Sequence, residues 1–217
     1  MFKLFKKKKP AAPPPDDPPP ALGWEAIEKA FGAVYPDQRP AWWEHRGVHA
    51  MYDLKTPPEN PLEAVAIYDG GTFWHYVSFG LSDLFGQRPD AEWSGYGYEL
   101  TFRLAKDGPA ALARPLWPVD ALVSLARAQY AGSDFGVGHT IQTGPIDGRP
   151  ETTRTAFLTV DDPAFDEPVL ETPHGKLSFF LLVGIEGSDR AEALETGVPE
   201  KVAELRARDP ELVTRLP

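Results

Sequence analysis

The sequence predicts an α+β fold, a mixed and mainly antiparallel β-sheet packed with helices. Three observations carry that prediction. First, Phe73–Gly80 and Tyr96–Leu104 alternate with period two. In the first, Phe73, His75, Val77 and Phe79 oppose Trp74, Tyr76 and Ser78; in the second, Tyr96, Tyr98, Leu100, Phe102 and Leu104 oppose Glu99, Thr101 and Arg103. Successive Cβ atoms of a strand point to opposite sides of the sheet, so this is the pattern of half-buried strands. Second, Lys176–Ile185 (KLSFFLLVGI) is apolar on both faces, as a central strand covered on both sides requires. Third, Pro118–Ala131 carries Val119, Leu122, Val123, Ala126 and Tyr130 on one helical stripe. With no βαβ alternation and no internal repeat, the order is helix, strands, helix, strands, helices, built on about five or six strands.

Composition bounds the function classes. The chain has 217 residues, 42% hydrophobic and 12% aromatic, enough for one large domain with a sizeable core. It has no cysteine, which excludes disulfides, thiolate nucleophiles and cysteine-based zinc sites. No apolar run reaches the roughly 18–20 residues of a membrane span. The start MFKLFKKKKP lacks the apolar stretch of a secretory signal, so a cytoplasmic protein is expected. Charge is uneven. Lys3, Lys6, Lys7, Lys8 and Lys9 account for five of the 22 basic residues, leaving 17 against 32 acids in the rest. An acidic body argues against nucleic-acid binding and favours a basic partner.

Residues 1–22 are expected to form a disordered tail ahead of a domain spanning 23–217. Met1–Lys9 reads as a solvated tail, with weak contact to anionic lipid as the competing reading. Pro10–Pro20 (PAAPPPDDPPP) should be extended polyproline II, a stiff spacer, because proline fixes φ and lacks a donor. Trp24–Tyr35 is a helix, with Trp24, Ile27, Phe31 and Val34 on one stripe, and Pro36 ends it. Leu62–Asp69 and Phe73–Gly80 form an antiparallel hairpin across Gly70–Gly71. Gln87–Ser94 is a polar loop, and Lys106–Pro115 is another. Pro118 starts the clearest helix, where a missing N–H is harmless, and Asp120 favours the helix dipole. His139–Thr143 and Thr155–Val160 are further strands. Asp161–Glu171 is an acidic loop. Ser188–Thr196, Pro199–Arg208 and Glu211–Leu216 read as three short helices, with Pro199 and Pro210 at helix starts.

No motif carries catalytic chemistry. His45 and His49 have metal-ligand spacing, but Arg46 stands where an HExxH glutamate would be. The GVG at Gly136–Gly138 follows a helix and lacks a third glycine, so it is a turn and not a dinucleotide site. The acids of Asp161–Glu171 lack the ligand order of a calcium loop. No metal and no cofactor is expected. His75 reads as a core histidine, and Glu99 pairs with Arg103 on its own strand face.

Six blocks carry a resemblance: PLEAVAIYDGGTFWHYVSFGLSDLF, SGYGYELTFRL, WPVDALVSLARAQY, FGVGHTI, GKLSFFLLVGI and DPELVTRLP. In this order they resemble the Suppressor of fused domain family over Gly23–Pro217. The resemblance implies an α+β fold and a protein-binding module without catalysis. Animal members restrain transcription factors by gripping a peptide between two domains, and this chain resembles only their N-terminal domain. Short stand-alone bacterial members resemble immunity proteins of polymorphic toxin systems. The resemblance thus implies a non-catalytic immunity-type or regulatory protein, its partner a basic toxin domain. It makes His75, Gly80, Ser82, Gly97 and Glu99 mainly structural motif residues. The expected contacts, from residue type and loop position, are Trp42, Trp43, Trp74, Tyr76, Asp161, Asp162 and Asp166. The competing reading is an enzyme or small-ligand binder with a pocket near His75, Tyr76, Glu99 and His139.

Overall fold

The computed structural model describes residues 20–44, 61–88, 90–111 and 113–216. Met1–Lys9, the proline run up to Pro19, and His45 and His49 lie outside the described residues.

Helix α1 (Leu22–Val34) comes first, then strands β1 (Ala41–Glu44), β2 (Ala64–Asp69), β3 (Phe73–Phe79) and β4 (Trp93–Ala105). Helix α2 (Trp117–Tyr130) follows, then β5 (Thr140–Gln142), β6 (Arg154–Asp161), β7 (Val169–Thr172) and β8 (Gly175–Glu186). Helices α3 (Gly187–Thr196) and α4 (Val198–Arg208) complete the described elements. The strands form one sheet in the order β1-β2-β3-β4-β8-β6-β5. β7 takes over the β8 edge where β6 leaves it: Asp161 pairs with Phe180, then Val169 with Ser178. Pairing is antiparallel except between β4 and β8.

The expected α+β fold with a mixed, mainly antiparallel sheet is therefore the one observed. The expected hairpin is present, with Ala64 opposite Phe79 and Asp69 opposite Trp74. The two-faced apolar run is the central strand β8, flanked by β4 on one side and by β6 and β7 on the other.

Both sheet faces are covered. On one, α2 packs Val119, Leu122 and Ala126 against Tyr76, Leu100, Phe102 and Leu182. On the other, α1 sets Ile27 and Phe31 on Ala66, Val77, Phe79 and Phe179. Further along that second face, Val198, Val202 and Leu205 of α4 pack on Leu158, Leu181, Val183 and Ile185.

Three sequence expectations are corrected, and one strand was not foreseen. The sheet has eight described strands, not five or six. Ala41–Glu44 is an edge strand, although Pro40 and two adjacent tryptophans hide its alternation. Val169–Thr172, inside the expected acidic loop, pairs with β8. Glu211–Leu216 is not a helix: Leu212 has φ +51°, and Thr214 bridges in parallel to Leu104. Past the Phe102–Leu182 pair β4 and β8 diverge, and Thr214 fills the split. Its N–H donates to the Arg103 carbonyl at 2.9 Å, and its carbonyl accepts the Ala105 N–H at 2.9 Å. Its Oγ1 accepts the Gly184 N–H at 2.9 Å.

Candidate functional site

Between α1 and α4, the second sheet face carries a column of polar residues from β4: Glu99, Thr101 and Arg103, all buried. Each finds its partners inside the fold.

Glu99 is enclosed by the turn after β3. Its Oε1 accepts the N–H groups of Gly80, Leu81 and Ser82 at 2.9, 3.1 and 2.9 Å, and the Ser82 hydroxyl at 2.6 Å. Its Oε2 accepts the Ser78 hydroxyl at 2.5 Å. Three consecutive N–H groups converging on one oxygen form an anion-binding nest. Here the chain supplies its own anion. The expected Glu99–Arg103 pair is absent for that reason, since the nest uses the carboxylate completely.

Arg103 pairs instead with Asp162. Its Nη2 donates to Oδ1 at 2.6 Å, while Nη1 donates to the Glu211 carbonyl at 3.0 Å and to the Glu211 carboxylate. Asp162 also accepts Thr101 Oγ1 at 2.6 Å, His75 Nε2 at 2.9 Å and the Ala164 N–H at 3.0 Å. Burial pushes the Asp162 carboxyl up, but His75, Arg103 and Thr101 outweigh it and hold the pKa well below the usual carboxylate range.

His75 completes the network. Its Nδ1 lies 2.8 Å from the Tyr35 hydroxyl. A neutral ring with Nε2–H donating to Asp162 and Nδ1 accepting from Tyr35 satisfies both nitrogens, which assigns the tautomer. Burial lowers the His75 pKa, against the pull of Asp162. Burial likewise raises the Tyr35 pKa, so that hydroxyl keeps its proton.

A third carboxylate organises the next loop. Asp83 accepts the N–H groups of Phe85, Gly86 and Arg88 at 3.1, 2.7 and 2.8 Å. Sequence reasoning passed over Asp83, Tyr35 and Glu211. The Asp83-x-x-Gly86 spacing of a side-chain-capped turn was the available signal for the first.

The four residues of the expected pocket do not converge. His75 and Glu99 lie on one sheet face, and Tyr76 on the other, where its hydroxyl donates to the Pro115 carbonyl at 2.8 Å. His139 is exposed, and β4, β8 and β6 stand between β3 and the strand it precedes. Strands lie about 4.8 Å apart, so the separation is roughly 19 Å.

The seven expected contact residues divide. Tyr76 and Asp162 are corrected: both are buried, Tyr76 in the core under α2 and Asp162 in the ion network, so neither reaches a surface. Asp161 is half-buried, and Asp166 is exposed in the loop between β6 and β7. Trp43 and Trp74 come together with Ile67, Arg114 and Leu116 around a surface groove of ≈ 760 Å³, which Trp42 borders while its ring packs on Trp24 and Phe79 across the sheet. Trp74 is fixed by its indole N–H, which donates to the Ala110 carbonyl at 2.7 Å. The Lys106 ammonium lies 3.8 Å from its ring centroid and the Arg114 guanidinium 5.7 Å from it. Gly97, with φ +85°, lets β4 pass the Trp93 ring, the Cβ of any other residue being 3.1 Å from it.

Among the described residues, no group of three or more His, Asp or Glu could hold a metal ion, and no helix is long and apolar enough to cross a membrane.

The Suppressor of fused protein (SUFU) family model matches residues 58–217. The Suppressor of fused homologs of Homo sapiens and Mus musculus are each 34% identical to the chain, over 75% of it and 35% of their own length. The chain thus spans little more than a third of these relatives. A chain of the Sufu–Fu complex crystal structure superposes with a TM-score of 0.77 at 28% identity, covering 92% of this chain and 91% of that one. Drosophila Suppressor of Fused gives 0.76 at 28% identity, over 92% of this chain and 50% of that one. A SUFU homolog from Neisseria gonorrhoeae, at 16% identity and a TM-score of 0.59, shares the fold. The family model takes in β2 to β8 and the segment after α4, including the Glu99 nest, Arg103 and Asp162, and on that match the chain belongs to the Suppressor of fused family.

Proposed function

We propose that the chain is a non-catalytic protein-binding module of immunity or regulatory type, one that binds and neutralises a basic toxin domain in the cytoplasm. One observation carries the reading above others. The structure it resembles over 92% of its length, at 28% identity, is a complex, that of Sufu with Fu. The site chemistry supports the same reading. Three buried side chains of the kind that do acid–base work, His75, Glu99 and Asp162, are committed to internal partners. What the surface offers is recognition chemistry: an aromatic groove at Trp43 and Trp74, bordered by Trp42, and carboxylates at Asp161 and Asp166. The overall charge of −10 would steer a basic partner toward it. In this division residues 23–217 form the binding domain.

The test is copurification with the intact chain from its native cell, followed by mass spectrometry. A basic toxin-type protein in stoichiometric amount is the expected result. Recovery of the chain with itself alone sinks the reading.

A further inference from the structure

Acids outnumber bases in this chain by 32 to 22, yet the Trp43–Trp74 groove is lined by a basic residue and by no acid. Its lining comes from Ala41 and Trp43 of β1, Ile67 of β2 and Trp74 of β3, and from Ala113, Arg114 and Leu116 ahead of α2. Four other surface grooves each have a carboxylate in their walls, Asp189, Asp107, Glu25 and Asp120 among them. Arg114 is exposed, has no ion pair among the described residues, and lies 5.7 Å from the Trp74 ring centroid.

The groove is shaped before anything binds. The Trp74 indole N–H is held by the Ala110 carbonyl, and the Lys106 ammonium, paired with Asp69, sits on its ring. A ring fixed in advance loses little freedom on binding. Leu116 beside it is exposed. Indoles and leucine take apolar side chains, and an unpaired guanidinium takes a carboxylate. Size follows from the register. Trp43 is level with Val65 and Trp74 with Asp69, four residues along the strands and two strands across. That is about 14 Å along and about 10 Å across, or about 17 Å between the two backbones. An extended peptide covers this in about five residues.

We propose that the groove binds an extended acidic segment of a partner protein, about five residues long, with apolar side chains on Trp43, Trp74 and Leu116 and a carboxylate on Arg114. The negative charge of the rest of the molecule is screened over about 8 Å at physiological salt, so a short segment reaches Arg114. A basic domain drawn to the acidic body would meet Arg114 as a like charge here. The two contacts are therefore separate, and this one stands whether or not the partner is a toxin.

A random peptide library displayed on phage and panned against the full chain tests the proposal. Enriched peptides should carry Asp or Glu beside leucine, proline or aromatic residues. A synthetic copy of the most enriched one should shift the Trp43 and Trp74 indole N–H signals and leave that of Trp93 in place. It should bind Arg114→Glu at least tenfold more weakly, and Leu116→Glu likewise. Both positions are exposed, and the unchanged Trp93 signal reports that the fold is kept. Enriched peptides that are basic or uncharged, that leave the Trp43 and Trp74 signals in place, or that bind Arg114→Glu as tightly as wild type overturn the proposal. So does movement of those two signals with protein concentration alone, which would seat a second copy in the groove.

Discussion

At the scale of the residue, Glu99 is the side chain whose environment is most specific. Its Oε2 takes the Ser78 hydroxyl, and Ser78 Oγ already accepts the Leu100 N–H at 2.9 Å. A proton on Oε2 would leave the Ser78 hydroxyl hydrogen without an acceptor, so the network fits the ionised form. Burial nonetheless pushes the Glu99 pKa up, and the Ser78 and Ser82 hydroxyls and the Gly80 and Ser82 N–H groups pull against it. Glu99→Gln keeps an oxygen for the nest and loses the charge. Hydrogen bonds to a charged group contribute about 1.5–3 kcal/mol, so a loss of about 2 kcal/mol is expected. Glu99→Ala leaves five buried donors unpaired, and should cost at least about 3 kcal/mol. Urea denaturation of both variants measures this. Equal stability of wild type and Glu99→Ala would show that the nest does not hold the turn.

At the scale of the element, the turn that carries the nest depends on Gly80. Its φ is +135°, and a Cβ there would meet the Pro61 carbonyl oxygen at 2.8 Å. Gly80→Ala is therefore strained by conformation and by contact, and about 1–3 kcal/mol is expected to be lost. Hydrogen exchange should place the loss locally, in faster exchange of the Leu81 and Ser82 N–H groups that Glu99 holds. Exchange accelerated evenly over the whole sheet would count against a local effect. The elements that the sequence revealed are those with long, one-sided or two-sided apolar patterns: α2, β3, β4 and β8. The missed ones are short and at edges. β1 and β7 have four residues each, too few for a period of two to stand out, and both are made strands by the neighbour they pair with. Glu211–Leu216 misled for a similar reason. Six residues with a proline in front match a helix start, but Arg103 and the split between β4 and β8 decide its shape. Burial of His75 was legible from alternation; that of Glu99, on the polar side of a strand whose pattern is half-buried, was not, and neither were the partners of either. Asp162 is 87 residues from His75 and Glu211 108 from Arg103, and no local pattern encodes such pairs.

At the scale of the whole molecule, the network at His75 ties four parts of the chain together. Tyr35 follows α1, His75 lies on β3, Arg103 on β4, and Asp162 follows β6. Glu211, from the segment after α4, faces Arg103 from outside. Protonating this network should therefore weaken the fold as a unit. Burial holds the His75 pKa below its ordinary value of about 6.5, so between that value and the folded one the unfolded chain binds the extra proton. Stability must then fall as pH drops below about 6.5, by up to about 1.4 kcal/mol per pH unit for one proton. Asp162 acts with the same sign at lower pH. Its depressed pKa contributes stability above about 3.9 that is lost as pH falls toward the folded value. Glu99, with a raised pKa, acts oppositely above about 4.3, stability there falling as pH rises. A comparison that keeps Glu99 and Asp162 and removes only the imidazole isolates the first contribution. His75→Gln does this, because a side-chain amide donates to Asp162 and does not titrate. Urea denaturation from pH 7 to pH 5 should show the wild type losing stability more steeply than His75→Gln. Parallel curves would mean that His75 is protonated in the folded protein as readily as in the unfolded chain, and that burial does not hold the ring neutral.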